Sequence, residues 1–219
     1  MKVIDFAKSN SVINQFLAEL RDVDYQKNAL LFRNNVVRIG HAMAYEISRS
    51  LTYEKKMIQT PLDSIKVSLP TDKIVLATVF RAGLPLHQGF LEVFDKAENG
   101  FVSAYRYYKD KEGTDVGIKI EYIASPSLDD KTLIIVDPML ATGGSMELAY
   151  EAFLTKGKPK RLIMACVIAS KQGVDFLRKA FPSNEVELYC GAIDPTLNEH
   201  KYIVPGLGDA GDLEYGEKL

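Results

Sequence analysis

The chain has 219 residues, of which 47% are hydrophobic and 26% are charged. These proportions are those of an ordinary globular protein, and the length suffices for one domain with a substantial core. The net charge of −2 at pH 7 excludes a general attraction to nucleic acids or anionic membranes, so any phosphate site must be local.

The cysteines and the N-terminus bear on the cellular compartment. Cys166 and Cys190 both lie in apolar runs without metal-ligand spacing, which favours buried free thiols over a disulfide. The first ten residues lack the apolar core of a signal peptide, and no stretch reaches the roughly 18 apolar residues of a membrane span. We therefore expect a cytoplasmic protein with neither a membrane nor a nucleic-acid partner.

The N-terminal quarter of the chain is predicted to be mostly helical. Hydrophobic spacing predicts a helix over residues 11–20, a longer amphipathic helix over 25–47 and a polar edge strand over 53–60. Arg21 and Asp22 are interpreted as a solvated turn. Because this region has no phosphate-type loop, we interpret residues 1–60 as a helical hood or an oligomer contact within a single domain of residues 1–219.

From Lys73 onward, apolar strands alternate with amphipathic helices. Strands are predicted over residues 73–80, 101–108, 132–136, 161–169 and 186–190, and helical spacing covers 84–94, 146–153 and 173–180. This alternation favours an α/β fold in which a mostly parallel sheet is flanked by helices, and ligands then bind beyond the carboxyl ends of the strands. The N-terminal helices and a β-hairpin arm within residues 109–120 are additions to that fold.

Residues 133–149, LIIVDPMLATGGSMELA, are the most informative stretch. A buried strand is followed by a turn of small residues and then by helical spacing, a layout in which free backbone N–H groups and the helix dipole bind phosphate. The alternative is a tight strand-to-helix connection with Ser145 as the helix cap. A Walker phosphate loop is excluded because no Lys follows the glycines.

Other polar groups follow the ends of predicted strands. Arg81 stands directly after an apolar strand and beside Gly83, where it can hold a phosphate through two hydrogen bonds. Tyr105 and Arg106 lead into the polar segment 109–120, a hairpin that can close over a site. Asp137 suits the hydroxyl groups of a sugar. Plain surface turns and an exposed hairpin are the alternatives.

The C-terminal residues 198–212 form a glycine-rich tail. Three glycines and a proline within residues 205–211 oppose regular helix or strand and expose backbone donors and acceptors, which suits the edge of a planar polar ring. A flexible tail is the alternative. The apolar residues Tyr202, Ile203, Val204 and Leu207 favour a tail that docks on the core.

Together these segments resemble the uracil phosphoribosyltransferases, which are type I phosphoribosyltransferases. The resemblance rests on residues 81–84, 105–106, 137–145, 198–200 and 202–212. It covers the chain from Leu51 onward and is looser in the N-terminal helices. It implies a phosphoribosyltransferase fold and transfer of the phosphoribosyl group from 5-phospho-α-D-ribose 1-diphosphate (PRPP) to uracil, giving UMP and pyrophosphate in pyrimidine salvage.

The resemblance also implies a role for each matching residue. The PRPP site would consist of Arg81, Arg106, Asp137, Pro138, Met139, Leu140, Ala141, Thr142, Gly143, Gly144, Ser145 and Asp209. In it, residues 141–145 would cradle the 5-phosphate, Asp137 would bind the ribose hydroxyls, and the two arginines would hold the pyrophosphate. Within the base-recognition tail, residues 198–219, uracil would be bound by Ile203, Gly208, Asp209 and Ala210. The residues expected to act in catalysis are Arg81, Arg106, Asp137 and Asp209.

The resemblance extends to the cofactor and the assembly state. Phosphoribosyltransferases in general have two adjacent acidic residues before the phosphate loop, whereas the second position here is Pro138. No protein ligand is therefore assigned to a metal, and Mg²⁺ is expected to be held mainly by pyrophosphate and water. A homodimer or larger homo-oligomer is also implied.

Three other functions stay open at this point. They are a phosphoribosyltransferase for another base, a nucleotide-sensing regulator that binds RNA, and a catalytically inactive scaffold. RNA binding would bring a basic stripe with aromatic residues, which the even charge opposes. Arg81, Asp137 and the glycine-rich loops oppose an inactive scaffold. His41, His87 and His200 are interpreted as structural.

Overall fold

We describe the fold from a computed structural model that covers residues 1–108, 116–183 and 186–217; for residues 104–108 and 116–119 it describes the backbone alone. The strands are β1 (Lys2–Asp5), β2 (Tyr53–Gln59), β3 (Ser64–Pro70), β4 (Ile74–Phe80), β5 (Glu98–Tyr108), β6 (Val116–Ala124), β7 (Thr132–Val136), β8 (Met139–Leu140), β9 (Arg161–Ser170), β10 (Val186–Asp194), β11 (Thr196–Leu197) and β12 (Ile203–Val204). The α-helices are α1 (Val12–Arg21), α2 (Ala29–Ser48), α3 (Gly83–Val93), α4 (Gly144–Leu154), α5 (Lys171–Ala180) and α6 (Ala210–Tyr215).

The central sheet has the strand order β1-β10-β9-β7-β4-β5-β6, and the short β8 continues along β9 beyond the end of β7. Neighbouring strands are parallel except for β5 and β6, which form the predicted hairpin arm. Residues 109–115 of that arm lie outside the described part of the chain. The sheet confirms the predicted α/β fold.

The core lies on both faces of this sheet, as the continuous apolar strands predict. Along β7, Ile134 and Val136 contribute to the cluster beneath α1, α2 and α3, whereas Leu133 and Ile135 contribute to the cluster beneath α4 and α5. All of these side chains are fully buried. The loops that follow β4 and β7 therefore extend from a rigid platform.

The N-terminal helices differ in one boundary from the sequence prediction. Ser11 caps α1 as predicted, its hydroxyl accepting a hydrogen bond from the Ile13 N–H. The second helix begins only at Ala29, because the Asn28 side chain accepts hydrogen bonds from the first-turn amides. The predicted start at residue 25 is a separate 3₁₀ turn. A polar cap thus sets the true boundary.

Several short strands were not predicted. Lys2–Asp5 forms β1, an edge strand of the central sheet beside β10, so the N-terminal segment contributes to the sheet as well as to the helical layer. The polar strand β2 is present, but its partner is β3, and the two form a separate antiparallel hairpin. In the tail, β12 pairs with β11, and α6 follows, so the tail contains more regular structure than its glycines suggest.

The prediction that Arg21 lies in a solvated turn is wrong. Its guanidinium donates to both carboxylate oxygens of Asp194 at 2.8 Å and to the Gly206 carbonyl at 2.9 Å. Asp194 also accepts from the Gly206 N–H at 2.8 Å. Burial alone would raise the pKa of Asp194, but Arg21 and the Gly206 N–H lower it below its usual value. The end of α1 therefore anchors the tail to the sheet.

Two further expectations concern the cysteines and membrane spans. Cys166 and Cys190 are buried free thiols, as predicted, with their Sγ atoms 3.5 Å apart on adjacent strands. Across the described ranges, no helix combines the length and apolar character needed to cross a membrane.

Candidate active site

The turns after β4 and β7 lie side by side at the carboxyl edge of the sheet. The two strands are parallel neighbours, with Thr78 opposite Val136. The Thr78 hydroxyl donates to the Val136 carbonyl, and it lies so close to Gly83 that a Cβ at this glycine would collide with it. The two loops predicted to hold pyrophosphate and 5-phosphate therefore begin from adjacent points.

Helix capping distinguishes these two loops from the rest of the described chain. Side chains cap the N-termini of α1, α2, α5 and α6, whereas α3 and α4 have no side-chain cap among the described residues. The first amides of a helix need partners, and the positive end of its dipole favours anions. Both helix N-termini therefore lack a side-chain cap where an anion could bind. At α3 the Leu84 N–H already donates to the Arg81 carbonyl at 3.2 Å and Pro85 has no N–H, so α3 offers fewer free amides than α4.

The phosphate loop is held by α5. Ser170, the cap of α5, donates to the Ala141 carbonyl at 2.6 Å and accepts from the Gly173 N–H. Gly143 has φ +92°, and a Cβ there would lie 2.6 Å from the Phe176 ring. The helix cap is this glycine, so the alternative in which Ser145 caps α4 is wrong. Gly143 is needed both for the left-handed turn and for the close packing.

Asp137 and Pro138 connect β7 to this loop. Asp137 is partly buried, and its Oδ1 accepts a long hydrogen bond of 3.4 Å from the Met139 N–H. Pro138 has no N–H to offer, but its carbonyl accepts from the Ile168 N–H at 3.0 Å. This bond continues the pairing with β9 and allows β8 to form. Position 138 therefore returns the chain to the sheet through its main-chain carbonyl, a role that does not require proline.

Arg81 is already engaged in the structure. Its peptide bond to Phe80 is cis. The guanidinium donates to Asp212 Oδ1 at 3.3 Å and to the Gly216 carbonyl at 3.2 Å, while the buried Nε has no partner among the described residues. Both members of the Arg81–Asp212 pair are more than one-third exposed, so the pair is weak.

The tail reaches the phosphate loop at the start of α6. The Ala210 N–H lies 3.4 Å from the Met139 sulfur, and Ala210 and Ile203 are buried. Gly208 has φ +92°, in the left-handed region. The Asp209 carboxylate caps α6 by accepting from the Asp212 N–H at 3.1 Å. The structure thus brings the predicted uracil segment to the phosphate loop.

Arg106 is the one predicted site residue whose side chain lies outside the described residues. Its backbone pairs with Ile118 in the arm formed by β5 and β6. This arm adjoins β4, and its strand β5 is parallel to β4.

Sequence reasoning missed Arg33 and Glu214. Arg33 on α2 donates to the Glu214 carbonyl, and its guanidinium carbon lies 5.9 Å from the centre of the Tyr215 ring. Glu214 is 1% exposed, and its burial, followed by the charge of Asp137, raises its pKa to about 9. The sequence pattern around Glu214 is a weak indicator, because the preceding glycines oppose a helix prediction. The short helix α6, in which Glu214 lies one turn after Ala210, was therefore not predicted.

A large cavity lies beside this site, and its lining includes none of the predicted site residues. It has a volume of about 660 Å³ and lies between α2, α3 and β5, where its lining includes Arg33, Leu84, His87, Phe101 and Tyr215. His87 is buried in its wall, with its ring 5.3 Å from that of Phe101.

Comparisons with known proteins agree with this geometry. The family model described as uracil phosphoribosyltransferase matches residues 7–216, a wider range than the resemblance from Leu51 onward. A uracil phosphoribosyltransferase of Porphyromonas gingivalis is 57% identical over all of both chains. The AQ2163 protein of Aquifex aeolicus has a TM-score of 0.87 at 30% identity, with 98% of each chain covered.

A more distant structure supports the fold alone. The hypoxanthine-guanine phosphoribosyltransferase of Bacillus anthracis has a TM-score of 0.50 at 17% identity, covering 74% of this chain and 81% of that one. The fold is therefore the phosphoribosyltransferase fold, and the family match extends over nearly the whole length. The chain belongs to the uracil phosphoribosyltransferase family.

Proposed function

We propose that this protein transfers the phosphoribosyl group of PRPP to uracil and releases UMP and pyrophosphate. The observation that carries the proposal is the pair of uncapped helix N-termini, α3 and α4, on adjacent loops at one edge of the sheet. PRPP carries two anionic groups joined by a ribose, and a pair of neighbouring anion sites suits that substrate.

Each end of PRPP has its own loop in this proposal. The amides of residues 141–145 bind the 5-phosphate at the start of α4, and Asp137 accepts hydrogen bonds from the ribose hydroxyls. At the start of α3, Arg81 exchanges its weak contact with Asp212 for the pyrophosphate, with which a guanidinium forms two hydrogen bonds. Arg106 on the arm would supply a second guanidinium.

Mg²⁺ fits this site as a companion of the substrate. The described residues contain no group of three or more His, Cys, Asp or Glu side chains placed to hold a metal. Pro138 occupies the position of a second carboxylate beside Asp137. Mg²⁺ would therefore be held mainly by pyrophosphate oxygens and water, and it would supply positive charge to the leaving group.

The residues of the chain would stabilise the charge that develops during transfer. The bond between ribose C1 and the pyrophosphate oxygen breaks, and the bond between C1 and uracil N1 forms. Arg81 and Arg106 stabilise the departing negative charge, and the fixed tail holds N1 in line. Glu214 is protonated at neutral pH and so would not accept the N1 proton, which would pass to Asp209, pyrophosphate or water.

Uracil would be recognised by the backbone of the tail. The contacts expected at Ile203, Gly208 and Ala210 require the tail to be held in place. The Arg21–Asp194 pair binds Gly206, and the Gln26 side chain donates to the Leu207 carbonyl at 2.7 Å. Asp209, as the cap of α6, fixes the start of the helix and would direct its other oxygen to the phosphoribosyl substrate.

We also propose a homo-oligomer in which the hairpin of β2 and β3 contacts another copy. All residues of β2 are exposed, and an isolated two-stranded hairpin is only marginally stable in water. The hairpin nevertheless exposes apolar side chains, and two of them, Ile58 and Ile65, lie opposite each other on one face. Such a patch favours burial against a partner. A cytoplasmic location stays a prediction.

A panel of bases tests the proposed reaction. Uracil, hypoxanthine, adenine and orotate are each incubated with PRPP, Mg²⁺ and the protein, and pyrophosphate release is measured together with the nucleotide formed. We expect UMP from uracil and far slower release with the other bases. Product from another base but none from uracil would overturn the assignment, and a salt-dependent shift of RNA without any transfer would favour an RNA-binding regulator.

A further inference from the structure

The side-chain carboxyl group of Glu214 is buried without a hydrogen-bond partner. The residue is 1% exposed, and neither carboxyl oxygen has a partner among the described residues. An unsatisfied buried polar group costs free energy, so one in a native fold needs an explanation such as a role at a functional site. The transfer mechanism proposed above makes no use of this group.

The position of Glu214 places it at the substrate site. Ala210 and Glu214 are one helical turn apart on α6, so they lie on the same face of that helix. Both are buried, and the Ala210 N–H contacts the Met139 sulfur of the phosphate loop. A Cβ on Gly211 of the same helix would lie 3.7 Å from the Ala82 Cβ and 4.0 Å from Arg81 Nη2, so α6 lies against both the residues after β4 and those after β7. Asp137 and Arg81, from these two loops, are close enough to influence the charge of Glu214.

Charged groups from several elements surround the carboxyl group. Asp137 at the end of β7 and Asp209 before α6 contribute negative charge, while Arg33 on α2 and Arg81 after β4 contribute positive charge. Burial is the largest influence on the pKa of Glu214, which is raised to about 9, and Asp137 is the next largest. At neutral pH the group is a carboxylic acid with one O–H donor and one carbonyl acceptor.

We propose that Glu214 contacts a ribose hydroxyl of the phosphoribosyl substrate, donating a hydrogen bond to it while Asp137 accepts one from it. This inference rests on the proposed function, because it requires the ribose to lie beside Asp137. A hydroxyl both donates and accepts, whereas a carboxylate only accepts. A neutral acid supplies the missing donor without adding negative charge beside Asp137 and the pyrophosphate.

Binding of ribose 5-phosphate, measured by calorimetry, tests this contact without uracil or turnover. Glu214→Leu removes both hydrogen-bonding groups at similar volume, and inorganic phosphate serves as a ligand that lacks the ribose. We expect the variant to bind ribose 5-phosphate about tenfold more weakly, the usual effect of losing one such hydrogen bond, and to bind inorganic phosphate as the wild type does. Glu217→Gln, at an exposed position of the same segment, is the matched control and should change neither affinity.

The pH dependence separates hydrogen bonding from packing. Above about pH 9 the wild-type Glu214 loses its proton, faces Asp137 as a second carboxylate and can no longer donate, so the affinity for ribose 5-phosphate falls. Glu214→Gln keeps a donor and does not ionise. It should bind as the wild type does at pH 7 and retain its affinity at pH 10.

The measurements on Glu214 can fail independently of the test of the transfer reaction. Unchanged ribose 5-phosphate binding by Glu214→Leu, or an equal loss for inorganic phosphate, would overturn the contact. If Glu214→Leu does not fold, the comparison of wild type with Glu214→Gln decides, and parallel pH profiles would count against the contact. Failure of the wild type to form UMP would reject the proposed reaction, while the ribose 5-phosphate measurements would still test Glu214.

Discussion

At the scale of single residues, Arg81 carries the most specific catalytic expectation. The residue lies between two possible partners, the Asp212 carboxylate that it contacts now and the pyrophosphate that it is proposed to bind. Because the present contacts are partly exposed, they contribute little to stability. Replacing Arg81 should therefore lower the reaction rate and leave the stability of the fold nearly unchanged.

Arg81→Ala should reduce turnover with PRPP and uracil by about 100- to 1,000-fold, the usual effect of removing one donor that stabilises developing charge. Steady-state kinetics measures the rate, and thermal unfolding followed by circular dichroism should show little change. Arg178→Ala, which removes an exposed arginine paired with Asp175, is the matched control. A near wild-type rate for Arg81→Ala would reject its role.

Asp194 gives a prediction of pH dependence. Burial opposes the charge of Asp194, but Arg21 and the Gly206 N–H lower its pKa below the ordinary value. The stabilisation by the charged carboxylate is therefore complete above the ordinary Asp pKa of about 3.9, and it is lost as the pH falls through the lower folded pKa. Asp194→Asn should therefore lower the free energy of unfolding at pH 7, and the difference from wild type should shrink below about pH 4. Denaturant titrations at several pH values measure it, and a pH-independent difference would contradict the account.

At the scale of elements, the packing of α2 on α3 positions the loop that carries Arg81. A Cβ on Gly40 would lie 2.8 Å from the Leu86 carbonyl, and a Cβ on Gly89 would collide with the Val37 carbonyl. The two helix backbones therefore touch at these glycines. Because α3 begins directly after Arg81 and Ala82, a shift of this helix moves the proposed pyrophosphate site.

Gly89→Ala should destabilise the protein by about 1–3 kcal/mol, because the methyl group forces the helices apart. Without the clash, alanine would stabilise the helix relative to glycine, so the sign of the change in the free energy of unfolding shows whether the clash occurs. Chemical denaturation measures the effect, with Gln88→Ala on the exposed side of α3 as the control. A stabilised Gly89→Ala variant would show that the helices do not touch here.

Elements with a strong local signal could be predicted from the sequence, whereas those that depend on distant partners could not. The apolar run of β7 is present with the predicted bounds, 132–136. By contrast, β1 has four residues, and its place is set by pairing with β10, far along the chain. The Arg21–Asp194 pair joins residues that no local pattern connects. In the site, the loops could be predicted from motifs, but the burial of Glu214 depends on the packing of α6 against α2, which no local pattern indicates.

At the scale of the whole molecule, the hairpin of β2 and β3 lies apart from the central sheet. Among the described strands these two pair only with each other, and Ile58 lies opposite Ile65 across the ladder. Both side chains are exposed in the single chain, at 39% and 54%. An exposed apolar pair of this kind is expected to be covered by another copy.

Ile65→Glu should shift the protein toward a smaller assembly, because a carboxylate buried in an apolar contact is strongly unfavourable. Size-exclusion chromatography with light scattering measures the mass. Ser68→Glu adds the same charge on the opposite face of β3 and should leave the assembly unchanged. An equal effect of the two variants would point to charge alone, and no effect of Ile65→Glu would place the contact elsewhere.

The central claim is that the start of α4 and the glycine-rich tail hold the two ends of one nucleotide. A crystal structure with bound UMP tests it most directly. The account predicts phosphate oxygens within about 3 Å of the backbone nitrogens of the 141–145 loop, with the pyrimidine edge against the backbone of residues 203–210. A UMP molecule bound in the cavity between α2, α3 and β5, with the loop empty, would contradict it.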